Sequence, residues 1–211
     1  MNFSIEGGGK NNTALFTVQN DSDSSMAVQL EVRKRIMDIK GKETQPETED
    51  FLIFPDQLIL APKKRRVVKV KWLKGEVKDI ERSYRLIAEQ LPINLKKKKK
   101  GNTDIKILLR YVAALYISPQ EGKSKIIIEK QLASKKSHSI DFTVHNIGKV
   151  HEVLTKTKIF LSQEGKKIEL KNLKSISGEN ILAGQKRLFN IKVPKIINLK
   201  KSFKLSLVNE K

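Results

Sequence analysis

The sequence of 211 residues lacks cysteine and long apolar runs, and only 6% of its residues are aromatic. The absence of cysteine excludes disulfide bonds and cysteine-based metal sites, although it does not identify a compartment. No apolar run approaches the roughly 20 residues of a transmembrane helix, so no membrane insertion is expected. Met1 is followed by a polar segment, so the sequence as given is expected to lack a signal peptide, and an exported protein would be represented by its mature form.

Acidic residues are also scarce, since 23 Asp and Glu face 43 Lys and Arg and give a net charge of +20. Such an excess is typical of proteins with an acidic partner such as nucleic acid, but it also follows from an AT-rich genome. Nucleic-acid binders concentrate charge on one face and add aromatic residues for stacking. Here the charge is spread along the chain, which favours a protein that does not bind nucleic acid.

Signals for catalysis are weak. The segment Gly7-Gly8-Gly9-Lys10 has Ser4 where a phosphate-binding loop needs glycine and Asn11 where it needs Ser or Thr, so a turn is favoured. No Gly-x-Ser-x-Gly motif is present. The sequence therefore predicts no enzyme, no catalytic residue and no cofactor.

The three histidines are His138, His145 and His151. His138 and His145 are seven residues apart, so on one strand they would face opposite sides. A metal site needs ligands that converge. Structural or surface histidines are therefore favoured, and no metal site is predicted.

Period-two alternation dominates the sequence and predicts an all-β fold. In the segment 26–36, Val28, Leu30 and Val32 would face one side of a strand and the polar residues between them the other. Candidate strands of the first half are 13–18, 26–36, 51–54, 58–60, 67–72, 84–91 and 105–117. Those of the second half are 126–130, 139–145, 154–162, 167–170, 188–193 and 203–208.

The segment 118–122 contains Pro and Gly, and the strand pattern restarts after it. We therefore predict an N-terminal domain over 1–118 and a C-terminal domain over 119–211, joined by a short linker. Short strands at this spacing are typical of immunoglobulin-like β-sandwiches, although barrels remain an alternative.

Five consecutive lysines, Lys96 to Lys100, lie between two predicted strands. Burying five adjacent cations would be far too costly, so the run is predicted to be a solvated loop. It is either a solubilising loop or an electrostatic contact with a partner.

Three segments of the first half resemble the first domain of the periplasmic pilus-assembly chaperones of the chaperone–usher type. The segment 51–62, FLIFPDQLILAP, resembles an apolar family motif with two spaced prolines, and Val67-Val68-Lys69-Val70 resembles a strand with a basic residue. The segment 81–92 resembles the family's acidic residue, strand and closing proline. The second half resembles the family more weakly, at 143–146 and 182–185.

The resemblance implies two immunoglobulin-like domains in an L shape with a cleft between them. It also implies a periplasmic chaperone that stabilises pilus (fimbrial) subunits by donor-strand complementation and delivers them to an outer-membrane usher. The donor residues would be Ile105, Ile107 and Leu109, which alternate along one predicted strand. Alternatively these side chains face their own sandwich. An exposed donor strand could also support self-association.

The sequence departs from the family at the two cations that anchor a subunit's terminal carboxylate. One corresponding position is near Asn2 or lost before it, the other is about Ala114, and neither cation is present. Arg85 and Arg110 are the nearest candidates to replace them, because Arg can grip a carboxylate with two hydrogen bonds. The resemblance also implies a structural ion pair between Lys69 and Glu81.

Two other functions remain open at this point. A basic β-sandwich could bind nucleic acid or an anionic surface, and its affinity would then fall steeply with salt. A scaffold or adhesion sandwich of the major sperm protein type would share the fold but would need no exposed donor strand. The identity of the subunit does not follow from the residues.

Overall fold

The computed structural model describes residues 2–6, 12–92, 107–134 and 137–209, and these form strands and turns with no helix. The strands of the first half are β1 (Asn2–Glu6), β2 (Thr13–Gln19), β3 (Met26–Lys34), β4 (Ile36–Met37), β5 (Glu43–Thr44), β6 (Phe51–Phe54), β7 (Gln57–Leu60), β8 (Arg65–Trp72), β9 (Arg82–Leu91) and β10 (Arg110–Ser118). Those of the second half are β11 (Ile126–Ser134), β12 (Ser139–Asn146), β13 (Glu152–Val153), β14 (Thr157–Gln163), β15 (Lys166–Leu170), β16 (Asn180–Ile181), β17 (Lys186–Lys192) and β18 (Lys204–Asn209).

The chain divides into two compact units near the predicted linker, between Gln120 and Glu121. Unit 1 contains most of the first half, and unit 2 contains residues from Glu121 onward. Two short segments of the first half, Met37–Glu43 and Asp79–Glu81, belong to unit 2, which the sequence analysis did not predict.

Unit 1 is a sandwich of two sheets, one with the order β1-β10-β9-β3-β7 and one with the order β2-β8-β6. Alternation along β3 buries Val28, Leu30 and Val32, as predicted. These side chains pack with residues of both sheets in one core, which includes Phe16, Val68, Val70, Trp72, Tyr84, Leu86, Leu115 and Ile117.

Unit 2 is built from the sheets β11-β12-β17 and β15-β14-β18 with a small pair of strands, β13-β16. Its core is formed by Ile140, Phe142, Val144, Leu154, Ile159, Leu161, Leu170, Ile176, Ile181, Phe189, Ile191, Val193, Ile197, Leu199 and Leu205. The β11–β12 pairing shifts register between Ile128 and Lys130, where a bulge interrupts the ladder.

The segment Met37–Glu43 is held in unit 2 by Arg187 of β17. The Arg187 side chain is buried and contacts Met37 Sδ at 3.0 Å and Glu179 Oε2 at 2.5 Å. The backbone N of Leu188 donates to Ile39 O at 2.7 Å. Gly41 has a φ of +87°, and a Cβ there would overlap the Arg187 guanidinium. The segment therefore requires glycine for both its backbone conformation and its close approach.

This close approach generates a prediction for Gly41→Ala, with Gly165→Ala as its matched control. Gly165 has a φ of +75° but nothing near its missing Cβ, so its substitution costs only backbone strain, about 1 kcal/mol. Gly41→Ala also displaces Arg187 from its partners and should cost about 2 kcal/mol more. Urea unfolding of unit 2 measures both values, and equal losses would show that the contact contributes nothing.

Tyr84 joins an aromatic cluster of unit 1 to the partly buried carboxylate of Asp50. Its ring lies 4.8 Å from the Phe51 ring and 5.9 Å from the Trp72 ring, and its hydroxyl donates to Asp50 Oδ2 at 2.9 Å. Burial and the hydrogen bond to Asp50 raise the pKa of Tyr84, so the phenol keeps its proton.

Burial alone would raise the pKa of Asp50, but its neighbours reverse the shift. Hydrogen bonds from Thr48 and Tyr84, together with the charges of Lys34 and Lys74, lower the pKa of Asp50 below its ordinary value. The ionised carboxylate therefore stabilises unit 1, and this contribution is lost as the pH falls through the lowered pKa.

We expect Tyr84→Phe to destabilise unit 1 by about 1.5–3 kcal/mol at pH 7, because a hydrogen bond to a partly buried charged group is lost. Below about pH 4 the difference from the native chain should shrink, since protonation of Asp50 weakens that bond in the native chain. Urea unfolding at pH 7 and pH 3 tests this expectation. The exposed Tyr111→Phe serves as the control, and a pH-independent loss for Tyr84→Phe would contradict it.

Candidate functional site

One edge of the five-stranded sheet is only partly covered. β1 runs parallel to β10 and pairs with Ala114 to Ser118. Within the described residues, the first half of β10, from Arg110 to Ala113, pairs only with β9. The backbone of this half is therefore open to another strand on its free side.

The residues before β10 continue along this open edge. Leu109 O accepts a hydrogen bond from Gln90 N at 2.9 Å, although the strand itself begins at Arg110. Ile107 is 78% exposed and Leu109 is 49% exposed. Within the described residues the strand therefore begins at Arg110, later than the start of the predicted range 105–117. Ile105 and the run Lys96 to Lys100 lie outside these residues, as does the segment Gly7–Lys10.

The exposed apolar side chains near the start of β10 continue the alternation of the core-facing residues. Leu115 and Ile117 are fully buried in the core of unit 1. Alternation places Leu109 and Tyr111 on the same side of the strand as Leu115 and Ile117, yet Tyr111 is 68% exposed. The core of unit 1 therefore buries the second half of this row and leaves the first half uncovered. The alternative that all of these residues pack in their own sandwich does not hold for Ile107 and Leu109.

Two arginines, Arg85 and Arg33, lie side by side on the face of the five-stranded sheet that is opposite to the core-facing side chains, and we call them the arginine row. Strand pairing places Asn2 opposite Ala114, Ala114 opposite Arg85, and Arg85 opposite Arg33. Directly opposed residues have Cβ atoms roughly 5 Å apart. The candidate Arg85 is therefore the lateral neighbour of Ala114, one of the two positions at which the family's cations are missing.

The two candidate anchors differ in their surroundings. The Arg110 Nε lies 3.6 Å from Glu89 Oε2, and both side chains are about half exposed. Arg85 is half-buried and lies between Ala114 and Arg33 in the row. Arg110 thus has a carboxylate partner on its own sheet, and both arginines stay candidates for binding a subunit's carboxylate.

Arg33 of this row and the nearby Arg35 were missed in the sequence analysis. The Arg33 Nε lies 2.9 Å from Glu31 Oε2, and the largely buried Arg35 donates to Tyr116 Oη at 3.0 Å. The run Arg33-Lys34-Arg35 at a strand end was the available signal. Its position beside Arg85 depends on strand register, which the run alone does not specify.

Lys69 and Glu81 have separate surroundings in their own units. Lys69 is exposed on β8, between Leu15 of β2 and Phe54 of β6. Glu81 is buried, and its Oε1 lies 2.7 Å from His151 Nδ1 and accepts a hydrogen bond from the His151 backbone N. The predicted Lys69–Glu81 pair would join the two units and stays a prediction, whereas the His151 partner was not predicted.

The other histidines also have their own partners. His145 Nδ1 lies 2.6 Å from Glu129 Oε1, and His138 Nε2 lies 3.1 Å from Pro194 O. Lys186 contacts the second oxygen of Glu129, and these hydrogen bonds lower the pKa of Glu129. Among the described residues, no group of three or more His, Asp or Glu is arranged to hold a metal ion.

The fold is that of two-domain pilus chaperones with immunoglobulin-like sandwiches. The chain is similar to a structure of the CsuC–CsuE chaperone–tip adhesion subunit pre-assembly complex of Acinetobacter baumannii, with 14% identity, a TM-score of 0.67 and coverage of 97% of this chain and 94% of the other. It is similar to the class 5 fimbriae chaperone CfaA, with 16% identity, a TM-score of 0.64 and coverage of 100% and 90%. For the Escherichia coli chaperone DraB the values are 18%, 0.59, 92% and 83%.

Residues 5–123 match the model of the pili and flagellar-assembly chaperone family, PapD N-terminal domain. This match spans more than half of the chain, so the chain belongs to that chaperone family. A comparison with curated proteins finds no significant match. In the part of the chain that the structure describes, no helix is long and apolar enough to span a membrane.

Proposed function

We propose that this chain captures pilus subunits by donor-strand complementation along the open edge that leads into β10. The observation that supports this function best is the row of large apolar side chains, Ile107, Leu109 and Tyr111, which the core of unit 1 leaves exposed beside unpaired backbone. Ile105 continues the same alternation in the sequence. A subunit that lacks a strand would pair with this backbone and bury these side chains.

The energy available from this row is sufficient for capture. Each large apolar side chain that becomes buried contributes roughly 1.5–3 kcal/mol, at about 25 cal/mol per Å². Backbone hydrogen bonds would set the direction and register of the subunit strand. Because a register slip of one residue moves every side chain to the other face, the alternation also provides specificity.

The donor proposal is tested by changing Ile105, Ile107 and Leu109 together to Ser. We expect the triple variant to remain folded and to bind the subunit at least about a thousandfold more weakly, since three buried apolar side chains are lost. The subunit is first identified by mass spectrometry of proteins that co-purify with the native chain from its own host. Its binding to the native and variant chains is then measured alongside thermal unfolding.

A matched control removes three exposed apolar side chains from unit 2, by changing Ile127, Leu132 and Ile196 to Ser. This control should keep the native affinity. If the donor variant unfolds, its three residues belong to the core of the chain. If it stays folded and still captures the subunit, the donor strand lies elsewhere.

We further propose that Arg85 receives the terminal carboxylate of the subunit, in place of the cations missing near Asn2 and Ala114. Support comes from strand register, which places Arg85 directly opposite Ala114, one of the two positions without a cation. Arg33 lies directly opposite Arg85 and adds a second guanidinium at this place, although Glu31 and Glu47 already contact Arg33. Arg110 is the second candidate, and its side chain contacts Glu89.

Arg85→Gln should weaken subunit binding by about 10–100-fold, the range for loss of a hydrogen bond to a charged group. Arg110→Gln is the matched control and should have a smaller effect. Extending the subunit by one C-terminal residue moves its carboxylate and should weaken binding to the native chain, but not weaken binding to Arg85→Gln any further. Additive effects of the two changes would rule Arg85 out as the anchor.

The remaining features of this function follow from the family. We propose a periplasmic location and an outer-membrane usher as the acceptor of the loaded subunit. The Lys69–Glu81 ion pair is retained as a proposal for orienting the two domains. The proposed function involves no catalysis.

A further inference from the structure

Tyr111 differs in chemistry from the other exposed side chains of the open edge. Ile107 and Leu109 are aliphatic, whereas Tyr111 combines a large ring with a hydroxyl group, and it is 68% exposed. Alternation places all three side chains on one side of the strand. The next two residues of this row are Ala113, which is half-buried, and Leu115, which is fully buried. Tyr111 therefore lies where the open part of the edge meets the core.

The Tyr111 hydroxyl has no hydrogen-bond partner among the described residues. The chain contains three tyrosines, and the other two differ from Tyr111 in this respect. The Tyr84 hydroxyl donates to a carboxylate, and the Tyr116 hydroxyl accepts a hydrogen bond from an arginine. Because Tyr111 is largely exposed, water satisfies its hydroxyl in the free chain.

The neighbours of Tyr111 on its own sheet explain why it has no partner. Strand pairing places Ala88 of β9 directly opposite it, and Leu109 and Ala113 flank it on the same side of the strand. None of these three side chains has a polar atom. Gln90 lies diagonally across the strand pair, but in the described structure its amide makes no hydrogen bond with Tyr111. An acceptor for the hydroxyl would therefore come from a molecule that covers the edge.

Capture of a subunit would change the surroundings of this hydroxyl. A subunit strand that pairs with the open side of β10 brings its own core over the row, and Tyr111 then loses its water. A buried hydroxyl without an acceptor weakens binding by about 5–150-fold. Burial of the ring strengthens binding by a similar factor, about 10–150-fold. Tyr111 therefore adds to the affinity only where the subunit presents an acceptor.

We propose that Tyr111 is a specificity-determining residue, which selects pilus subunits that present a hydrogen-bond acceptor opposite it. A carboxylate, a side-chain amide oxygen or a backbone carbonyl supplies this acceptor. A subunit that is wholly apolar at this place is disfavoured, because the hydroxyl would be buried without a partner. Ile107 and Leu109 do not select in this way, since they have no polar group. The role of Tyr111 rests on the proposed donor function and specifies the chemistry of its partner.

The test is the variant Tyr111→Phe, which removes the hydroxyl and keeps the ring. Binding is measured for the subunit that co-purifies with the native chain. We expect the variant to bind this subunit about 5–100-fold more weakly, because the acceptor of the subunit is left buried without a donor. Thermal unfolding of the free variant should match that of the native chain, since the hydroxyl has no protein partner there.

A double-mutant cycle identifies the acceptor. The Asp, Glu, Asn and Gln residues of the subunit are changed one at a time to apolar residues of similar size. Substitution of the acceptor should weaken binding to the native chain but should not weaken binding to Tyr111→Phe any further. If no side chain behaves in this way while Tyr111→Phe still binds weakly, the acceptor is a backbone carbonyl oxygen.

Two further variants are the controls. Val112→Thr alters the neighbouring residue, whose side chain points to the opposite face of the strand, and it should change capture by less than about twofold. Gln90→Met removes the nearest amide of the chain itself. Tyr111→Phe should weaken binding by the same factor in the presence and in the absence of Gln90→Met.

Several outcomes would overturn the role of Tyr111. Unchanged binding of Tyr111→Phe would show that the hydroxyl stays hydrated in the complex, and tighter binding would show that it is buried without a partner. An equal loss for Val112→Thr would assign the effect to the strand as a whole. Disappearance of the Tyr111→Phe effect in the Gln90→Met chain would place the acceptor on the chain itself.

The donor function is judged separately by the triple serine variant. If that variant loses capture while Tyr111→Phe binds as tightly as the native chain, the role of Tyr111 is wrong and the donor proposal stands. If the triple variant stays folded and captures the subunit at the native level, both are wrong.

Discussion

The pairing of β10 governs both the fold and the proposed activity of unit 1. A strand at a sheet edge presents unpaired backbone groups, and proteins usually cover or blunt such edges. β1 covers only the second half of β10, whereas β9 pairs with Arg110 to Ile117. One strand can therefore anchor the sandwich core through Leu115 and Ile117 and still leave its first half available to another chain.

The two faces of the five-stranded sheet have different chemical environments because successive side chains of a strand point to opposite faces. Alternation sends Leu109 and Tyr111 toward the side of the core and Arg110 toward the opposite side. Apolar capture and carboxylate binding can thus occur on the same pair of strands without competing for space. The proposed role of Arg85 requires the register in which Arg85 of β9 lies opposite Ala114 of β10. The spacing between the two groups is therefore fixed by backbone hydrogen bonds rather than by flexible loops.

Much of the fold could be predicted from the sequence because period-two alternation is a local signal. The burial of Val28, Leu30 and Val32 followed from it directly. The packing of Met37–Glu43 on Arg187 could not be predicted, since it joins residues about 150 positions apart through one buried guanidinium. The arginine row was equally inaccessible, because alternation assigns a residue to a face but does not specify its neighbour on the next strand. Sequence alone could nominate Arg85 but could not place it next to Ala114.

The exposure of Ile107 and Leu109 has a thermodynamic cost that the rest of the chain must offset. Full burial of such a side chain contributes roughly 1.5–3 kcal/mol, of which Ile107 forgoes most and Leu109 about half, a substantial share of the marginal stability of a domain. Unpaired apolar edges also favour aggregation, and nearby charges oppose it. Five lysines precede this segment in the sequence, and Arg110 follows it. A large net charge of one sign opposes association between copies of the chain. The same positive charge does not hinder a subunit of opposite or neutral charge, so repulsion between copies can protect the open edge while leaving it able to bind its target.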